Sequence, residues 1–334
     1  MSSSGPVFVA GCGRSGTSYV RTILDAHPDI FIPSESLFLV DYLRLGDALS
    51  VPLRSWLLYR EPQLLCWYSG PRHRVEDIPA AIARTHEHEA ALHGATRWGQ
   101  KTPRFVRHRA LFDASFPGIR WILVHRDPRA VVLSMLRSGQ HTSSVWHACE
   151  RWNRDNRPVI DALAREDGAA GPSSTLVLRY EDLVRDYDRT IDRLFRFVGV
   201  EPIGRAAVER GARPVFFSRS RFAINTVRGG MVPDEAALDR WRRELTRSQL
   251  ARIEAHCAEG MAALGYERVT SVQPGRPRAQ PSERLRDVAI VARYLVKWPE
   301  YPLHTLLRKA VMHAGHLACR LRARRKSGLP GRAR

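Results

Sequence analysis

The chain is poor in the devices that hold small secreted domains together. Its 334 residues include five cysteines, at 12, 66, 149, 257 and 319, with no C-x-x-C pair and no regular spacing. A disulfide framework and a zinc site are therefore not expected, and a reducing, cytosolic setting is. No uninterrupted apolar run approaches the roughly 18 residues of a spanning helix. The first apolar run, Val7 to Ala10, is short and has no basic segment before it, so it does not read as a secretory leader. Acidic residues are scarce at one end. The 65 residues from Thr270 to Arg334 hold 15 Lys or Arg against 3 Asp or Glu, and so carry +12 of the formal +19. The other 269 residues hold 38 basic and 31 acidic groups, a net +7. That body is not expected to bind a specific nucleic acid, and its mild positive charge suits a polyanionic ligand.

What is present is concentrated in VFVAGCGRSGTSYVRTILDAHPDIFIPSE, Val7 to Glu35. A buried strand over 7–10 passes through Gly11-Cys12-Gly13-Arg14-Ser15-Gly16 into a helix over 17–26. Helix-terminal N–H groups lack internal acceptors and face the ligand, and a glycine-rich loop lets backbone wrap an oxyanion closely. Gly11, Gly16 and Ser18 fit the triphosphate motif G-x-x-x-x-G-K-[ST], but Thr17 stands where that motif needs lysine. The missing lysine argues against an ATPase or GTPase. Arg14 is the cation of the loop, and its planar fork can grip one tetrahedral anion through two bonds.

The rest of the body alternates strands and helices and predicts an α/β, P-loop-like three-layer sandwich around a mostly parallel sheet. Strands are expected over 120–125 and 175–179. Residues 94–117 read as a turn leading into a helix, and 151–165, 190–198 and 241–264 as helices. Asp127 and Pro128 suit the N-cap and first position of a helix, which puts Arg126 where a parallel strand hands over to a helix. Residues 36–92, with Trp56, Tyr59, Trp67 and Tyr68 among scattered prolines, read as a helical insertion on the acceptor side, most of whose aromatics fill its own core. A domain over 1–269 and a basic, helical C-terminal extension over 270–334 complete the division. Apolar positions such as Val288, Leu295, Leu306 and Met312 give the extension amphipathic character, for packing on the body or on a partner subunit in preference to an anionic membrane.

These segments resemble the sulfotransferases that use 3′-phosphoadenosine 5′-phosphosulfate (PAPS). GCGRSGTS is similar to that family's 5′-phosphosulfate loop, Gly99-Gln100-Lys101-Thr102-Pro103 to a G-x-K-T-P segment, FPGIRWILVHRDPRAVVLS to its 3′-phosphate strand and helix, and Arg179-Tyr180-Glu181-Asp182-Leu183 to a further family segment. Trp241 and Leu264-Gly265-Tyr266 fit as well. The stretch from Arg14 to Ser36 most resembles the protein-tyrosine sulfotransferases, although Ser34 replaces an acidic residue usual before the catalytic base there; bacterial small-molecule, lipid and sugar sulfotransferases share much of the pattern.

The resemblance implies PAPS as donor, its 3′,5′-bisphosphate (PAP) as product, an alcohol or phenol oxygen as acceptor, in-line transfer and no metal. Gly13, Arg14, Ser15, Gly16, Thr17 and Ser18 would hold the 5′ end, with Thr17 and Ser18 also capping the helix, and Arg126 and Ser134 the 3′-phosphate. Glu35 is the implied base, Lys101 the point cation for the leaving phosphate, and Arg14 a second catalytic cation. His27 and His125 are rival bases, each better read as structural. Arg219, Arg228 and Gly229, in a basic loop, are weaker candidates for donor contact. Two other classes stay open: a magnesium-dependent P-loop phosphotransferase, and a non-catalytic RNA-binding protein acting through the basic tail. A large or apolar acceptor, a homo-oligomer and peripheral membrane contact are compatible with the same reading.

Overall fold

The computed structural model describes residues 5–138, 144–166, 174–212, 235–285, 287–289 and 305–317. Five strands, β1 (Val7–Gly11), β2 (Ile30–Phe31), β3 (Arg97–Lys101), β4 (Arg120–His125) and β5 (Thr175–Arg179), form one parallel sheet in the order β2-β3-β1-β4-β5. Side chains alternate across it. Val7 and Val9 pack with Ile23, Leu24, Ile122, Leu194 and Phe195 on one face. Phe8 and Ala10 pack with Phe112, Trp121, Met135 and Trp152 on the other. Helices therefore cover both faces, which is why the central strands are apolar throughout. The sandwich, the helical insertion and the helical extension agree with the sequence reading.

Register places the site. In the central strand Val9 lies opposite Lys101 and Gly11 opposite Val124, so the C-terminal ends of β1, β3 and β4 open on one edge. The loop of residues 12–16, Lys101, Arg126 and Tyr180 all sit there, at the edge where parallel α/β sheets receive ligands.

Two expectations are corrected. β3 lies inside the stretch read as a turn and helix. RWGQK lacks an apolar run, yet Gln100 and Lys101 are buried, with the Gln100 amide nitrogen and the Lys101 ammonium bonded to groups from other elements. Gly99 is needed where β3 meets β1, since a Cβ there would lie 2.4 Å from the Val7 carbonyl oxygen. The single helix read over 241–264 is three, Arg240–Glu244, Arg247–His256 and Ala258–Ala263; Thr246 forms a capping box with Gln249 that starts the second afresh.

The insertion contributes helices Leu39–Leu45, Val51–Leu58 and Ile78–Leu92. Tyr59 stacks on Tyr68, and Trp67 lies against Tyr68 and His86, so these aromatics do fill the insertion's own core, whereas Trp56 is exposed. The extension is helical over 281–285, 287–289 and 305–317. Its Arg308 donates to Glu61 Oε2 (2.7 Å) and Asp41 Oδ2 (2.8 Å), and Met312 is fully buried, so this segment lies against the insertion. Burial pushes the Glu61 carboxyl up to about 7 despite Arg308 beside it.

Candidate active site

The loop after β1 turns on two glycines. Gly11 (φ 144°) and Gly16 (φ 94°) occupy conformations that side chains rarely adopt, and Arg14 itself sits at φ 74°. Gly16 is the N-cap of helix α1 (Thr17–Asp25), with no side-chain cap. The expected capping by Thr17 and Ser18 is therefore not made: Thr17 is buried within the helix, and the Ser18 hydroxyl faces β3, where it accepts from Lys101 Nζ at 3.1 Å. The Ser15 hydroxyl is fully buried with no hydrogen-bond partner among the described residues, an arrangement that a bound acceptor or donor group would complete.

Lys101 also donates to Glu35 Oε1 at 2.7 Å. The lysine is 3% exposed and the glutamate 30%, so the pair has a wet side at the carboxylate. Several contacts aim Glu35. Arg21 of α1 donates through Nε to the Ile32 carbonyl (2.7 Å), and Asp25 accepts from the Ile32 N–H (2.8 Å), pinning the chain three residues before it. One residue after it, the Ser36 N–H donates to Thr102 Oγ1 at 2.9 Å, next to Lys101. Glu35 is thus held from one side by α1 and from the other by the residue that follows β3, and it faces Lys101.

The second anion motif meets the first directly. Arg14 Nε donates to Ser134 Oγ at 3.0 Å. Ser134 lies on the helix Pro128–Ser138, which Asp127 starts by accepting the Arg129 N–H at 2.8 Å. Arg126 does not bond to Ser134. Its guanidinium stands 4.3 Å from the centre of the Tyr180 ring, and its Nε is buried without a hydrogen-bond partner among the described residues. Tyr180 also walls the loop, because a Cβ on Gly16 would lie 2.2 Å from the tyrosine ring. The sequence marks Tyr180 only as part of a family-like segment, yet one ring borders both anion motifs. Burial and the neighbouring charges of Arg126 and Arg151 lower the Arg14 guanidinium from its ordinary value.

Both histidines are engaged in hydrogen bonds. His27 is held by the Glu201 carbonyl (3.0 Å) and by the Asp29 N–H (3.1 Å). His125 bonds through Nδ1 to the Tyr266 hydroxyl at 2.9 Å, and burial lowers it to about 4, a neutral ring inside a Tyr266–Glu181 network. Arg219, Arg228 and Gly229 lie outside the described residues. A cavity of about 900 Å³ is lined by Arg107, Trp152, Asn156, His256 and Gly260 among others, and none of the predicted site residues lines it. Among the described residues no group of three or more His, Cys, Asp or Glu is placed to hold a metal ion.

With this geometry in view, a model of the sulfotransferase family matches residues 6–203, more than half of the chain. The chain belongs to the sulfotransferase family. Its reaction is the PAPS-dependent transfer of a sulfuryl group to an acceptor oxygen. Protein-tyrosine sulfotransferase 2 of Gallus gallus is 25% identical over 270 residues, covering 78% of this sulfotransferase and 69% of the relative. Carbohydrate sulfotransferase 2 of Homo sapiens is 28% identical over 208 residues, 46% of this chain and 36% of that one. Among solved structures, the sulfotransferase domain from the Synechococcus PCC 7002 olefin synthase superposes with a TM-score of 0.52 at 20% identity, over 78% of this sulfotransferase and 94% of that domain, and so shares its fold.

Proposed function

We propose that Glu35, Lys101 and Arg14 carry the transfer, and that the donor lies between the loop of residues 13–18 and the Arg126–Ser134 segment. PAPS brings the activated sulfuryl group on a good leaving phosphate. Glu35 Oε1 is occupied by Lys101, which leaves Oε2 to take the acceptor's proton. As the acceptor oxygen bonds to sulfur, the bond from sulfur to the bridging oxygen breaks, and the electron pair leaves with PAP. Lys101 supplies the compact positive charge for that oxygen, and Arg14 charge for the sulfuryl or 5′-phosphate oxygens. These side chains provide the cations the step requires, so no metal enters the proposal.

The observation that carries this reading is the placement of Lys101 Nζ within hydrogen-bond reach of both Glu35 and Ser18, the base and the loop. Incubation with PAPS and a phenolic or alcoholic acceptor in excess chelator tests it, read by mass spectrometry as gain of a sulfuryl group. Turnover from ATP that needs magnesium, with none from PAPS, would reject it.

The insertion over 36–92 is the proposed acceptor side. The names of similar proteins, protein-tyrosine and carbohydrate sulfotransferases, support a phenol or a sugar hydroxyl. A cytoplasmic setting is supported by the buried free thiols of Cys12, Cys149 and Cys257. Helix 305–317 turns Arg308 and Met312 inward while Leu306, Leu307 and Leu317 are exposed beside Lys309. That outward strip supports peripheral contact with anionic lipid. Sedimentation with phosphatidylserine vesicles tests it, and equal recovery with neutral vesicles rejects a charge-assisted surface.

A further inference from the structure

A third arginine reaches the loop from a helix that carries no recognised motif. Arg151 lies in the first half of the helix Val145–Glu166, beside Trp152, whose Nε1 donates to the Arg126 carbonyl at 2.9 Å. The Arg151 side chain is 10% exposed, and its nearest carboxylate oxygen, Asp155 Oδ2, is 3.6 Å away, beyond hydrogen-bond reach. Arg151 Nε is buried with no hydrogen-bond partner among the described residues. Asp155 gives its other oxygen to Arg107, so it neutralises Arg151 only in part.

Gly13 explains how Arg151 comes so close. Unlike Gly11 and Gly16, Gly13 does not have a positive φ, so backbone freedom is not what it supplies. A Cβ at that position would stand 2.6 Å from Arg151 Nη2. The glycine's missing side chain is the space the guanidinium fills. Arg14, Arg126 and Arg151 therefore converge on one loop with like charges. A buried, incompletely bonded guanidinium is costly alone and favourable beside an anion.

We infer that Arg151 is a donor-binding residue on the 5′ side of the nucleotide, and that Gly13 is the residue that admits it. The inference rests on the donor placement proposed above. Arg126 and Ser134 then serve the 3′-phosphate, while Arg151 adds charge where the 5′ phosphate meets the loop. The bland reading, that Arg151 only braces the loop through Asp155, predicts no discrimination between nucleotides.

Calorimetry on the full chain separates the two, with PAP, adenosine 5′-monophosphate and adenosine 3′-monophosphate as ligands. Arg151→Gln should weaken PAP and the 5′-monophosphate by roughly tenfold to a hundredfold, as expected for losing a charged hydrogen-bond donor. It should leave the 3′-monophosphate unchanged, Arg151→Lys should recover part of the loss, and Arg126→Ala should show the opposite selectivity. Gly13→Ala provides a second route, because its methyl group would displace only the far end of a flexible side chain. The same 5′-selective loss should appear with an unchanged melting temperature. Equal loss for both monophosphates, or loss for neither, overturns the role of Arg151 if the unaltered protein binds PAP. Failure of the unaltered protein to bind PAP overturns the donor placement itself.

Discussion

Arg14 and Ser134, 120 residues apart, are joined by a 3.0 Å hydrogen bond across the C-terminal edge of the sheet. The two motifs are therefore directly connected. The serine orients the loop arginine, a role separate from the 3′-phosphate contact proposed for it. This contact should couple the two residues energetically. In a double-mutant cycle on PAP affinity, Arg14→Ala and Ser134→Ala should be non-additive by roughly 0.5 kcal/mol or more. Additivity within error would mean that the bond does nothing for donor binding.

PAP should bind more tightly than adenosine 5′-monophosphate, because Arg126 and Ser134 add a second anion site to the loop. Arg126→Ala should remove most of that difference, at about 2–5 kcal/mol for loss of a buried charged partner. Titration calorimetry decides this, and equal affinities for the two nucleotides would take the 3′-phosphate away from Arg126.

Glu35→Gln should keep PAP affinity and slow the chemical step by ~10²–10⁴-fold. The loss should shrink for a phenol already ionised at the assay pH. Lys101→Ala should remain slow with phenols of high and low acidity alike, because its partner is the leaving group. Single-turnover rates with both phenols test the two roles together. Near-normal turnover of the less acidic phenol by Glu35→Gln would remove Glu35 as base.

Burial depresses His86 and His125 to about 4 from an ordinary 6.5. Between those values the unfolded chain binds protons that the folded chain refuses, so each histidine makes stability fall as pH drops from 6.5 towards 4. Glu61, raised to about 7, acts in the opposite sense, favouring the folded state as pH drops from 7 towards 4.5. In urea unfolding at stepped pH, His125→Gln should reduce the slope of stability against pH by up to about 1.4 kcal/mol per unit within the histidine window. An unchanged slope would show that the ring titrates normally in the folded protein.

Arg308→Ala should destabilise the fold by about 3–5 kcal/mol at pH 8, because it strips a buried ion pair of its cation. At pH 5 the cost should be smaller, since the Glu61 carboxyl is then mostly protonated. Thermal melts at the two pH values measure it, and equal losses would place the effect elsewhere than in Glu61.

How far the sequence reached depended on where each polar group found its partner. β1, β4 and β5 announced themselves because their burial is apolar, and the loop after β1 because glycine, arginine and hydroxyls stand together. β3 was hidden: Gln100 reaches His86 and Ser36, and Lys101 reaches Glu35 and Ser18, all more than ten positions away, so nothing local marks a buried strand. The bond between Arg14 and Ser134 was equally out of reach, since the sequence put Ser134 with Arg126. Arg151 sat on a helix that was read correctly, but only its closeness to Gly13 gives it a part. Tyr180 was noticed with its neighbours, and its contacts with both anion motifs came only from folding.

The contact between Glu61 and Arg308 spans 247 residues. At synthesis rates of about 5–20 residues per second, roughly 12–50 seconds separate the making of the carboxylate from the making of its cation. During that interval the insertion exists on the nascent chain without this arginine. The ionic set that fixes it closes only after residue 308 has been made, so all five strands of the sheet are synthesised before this part of the insertion has its cation.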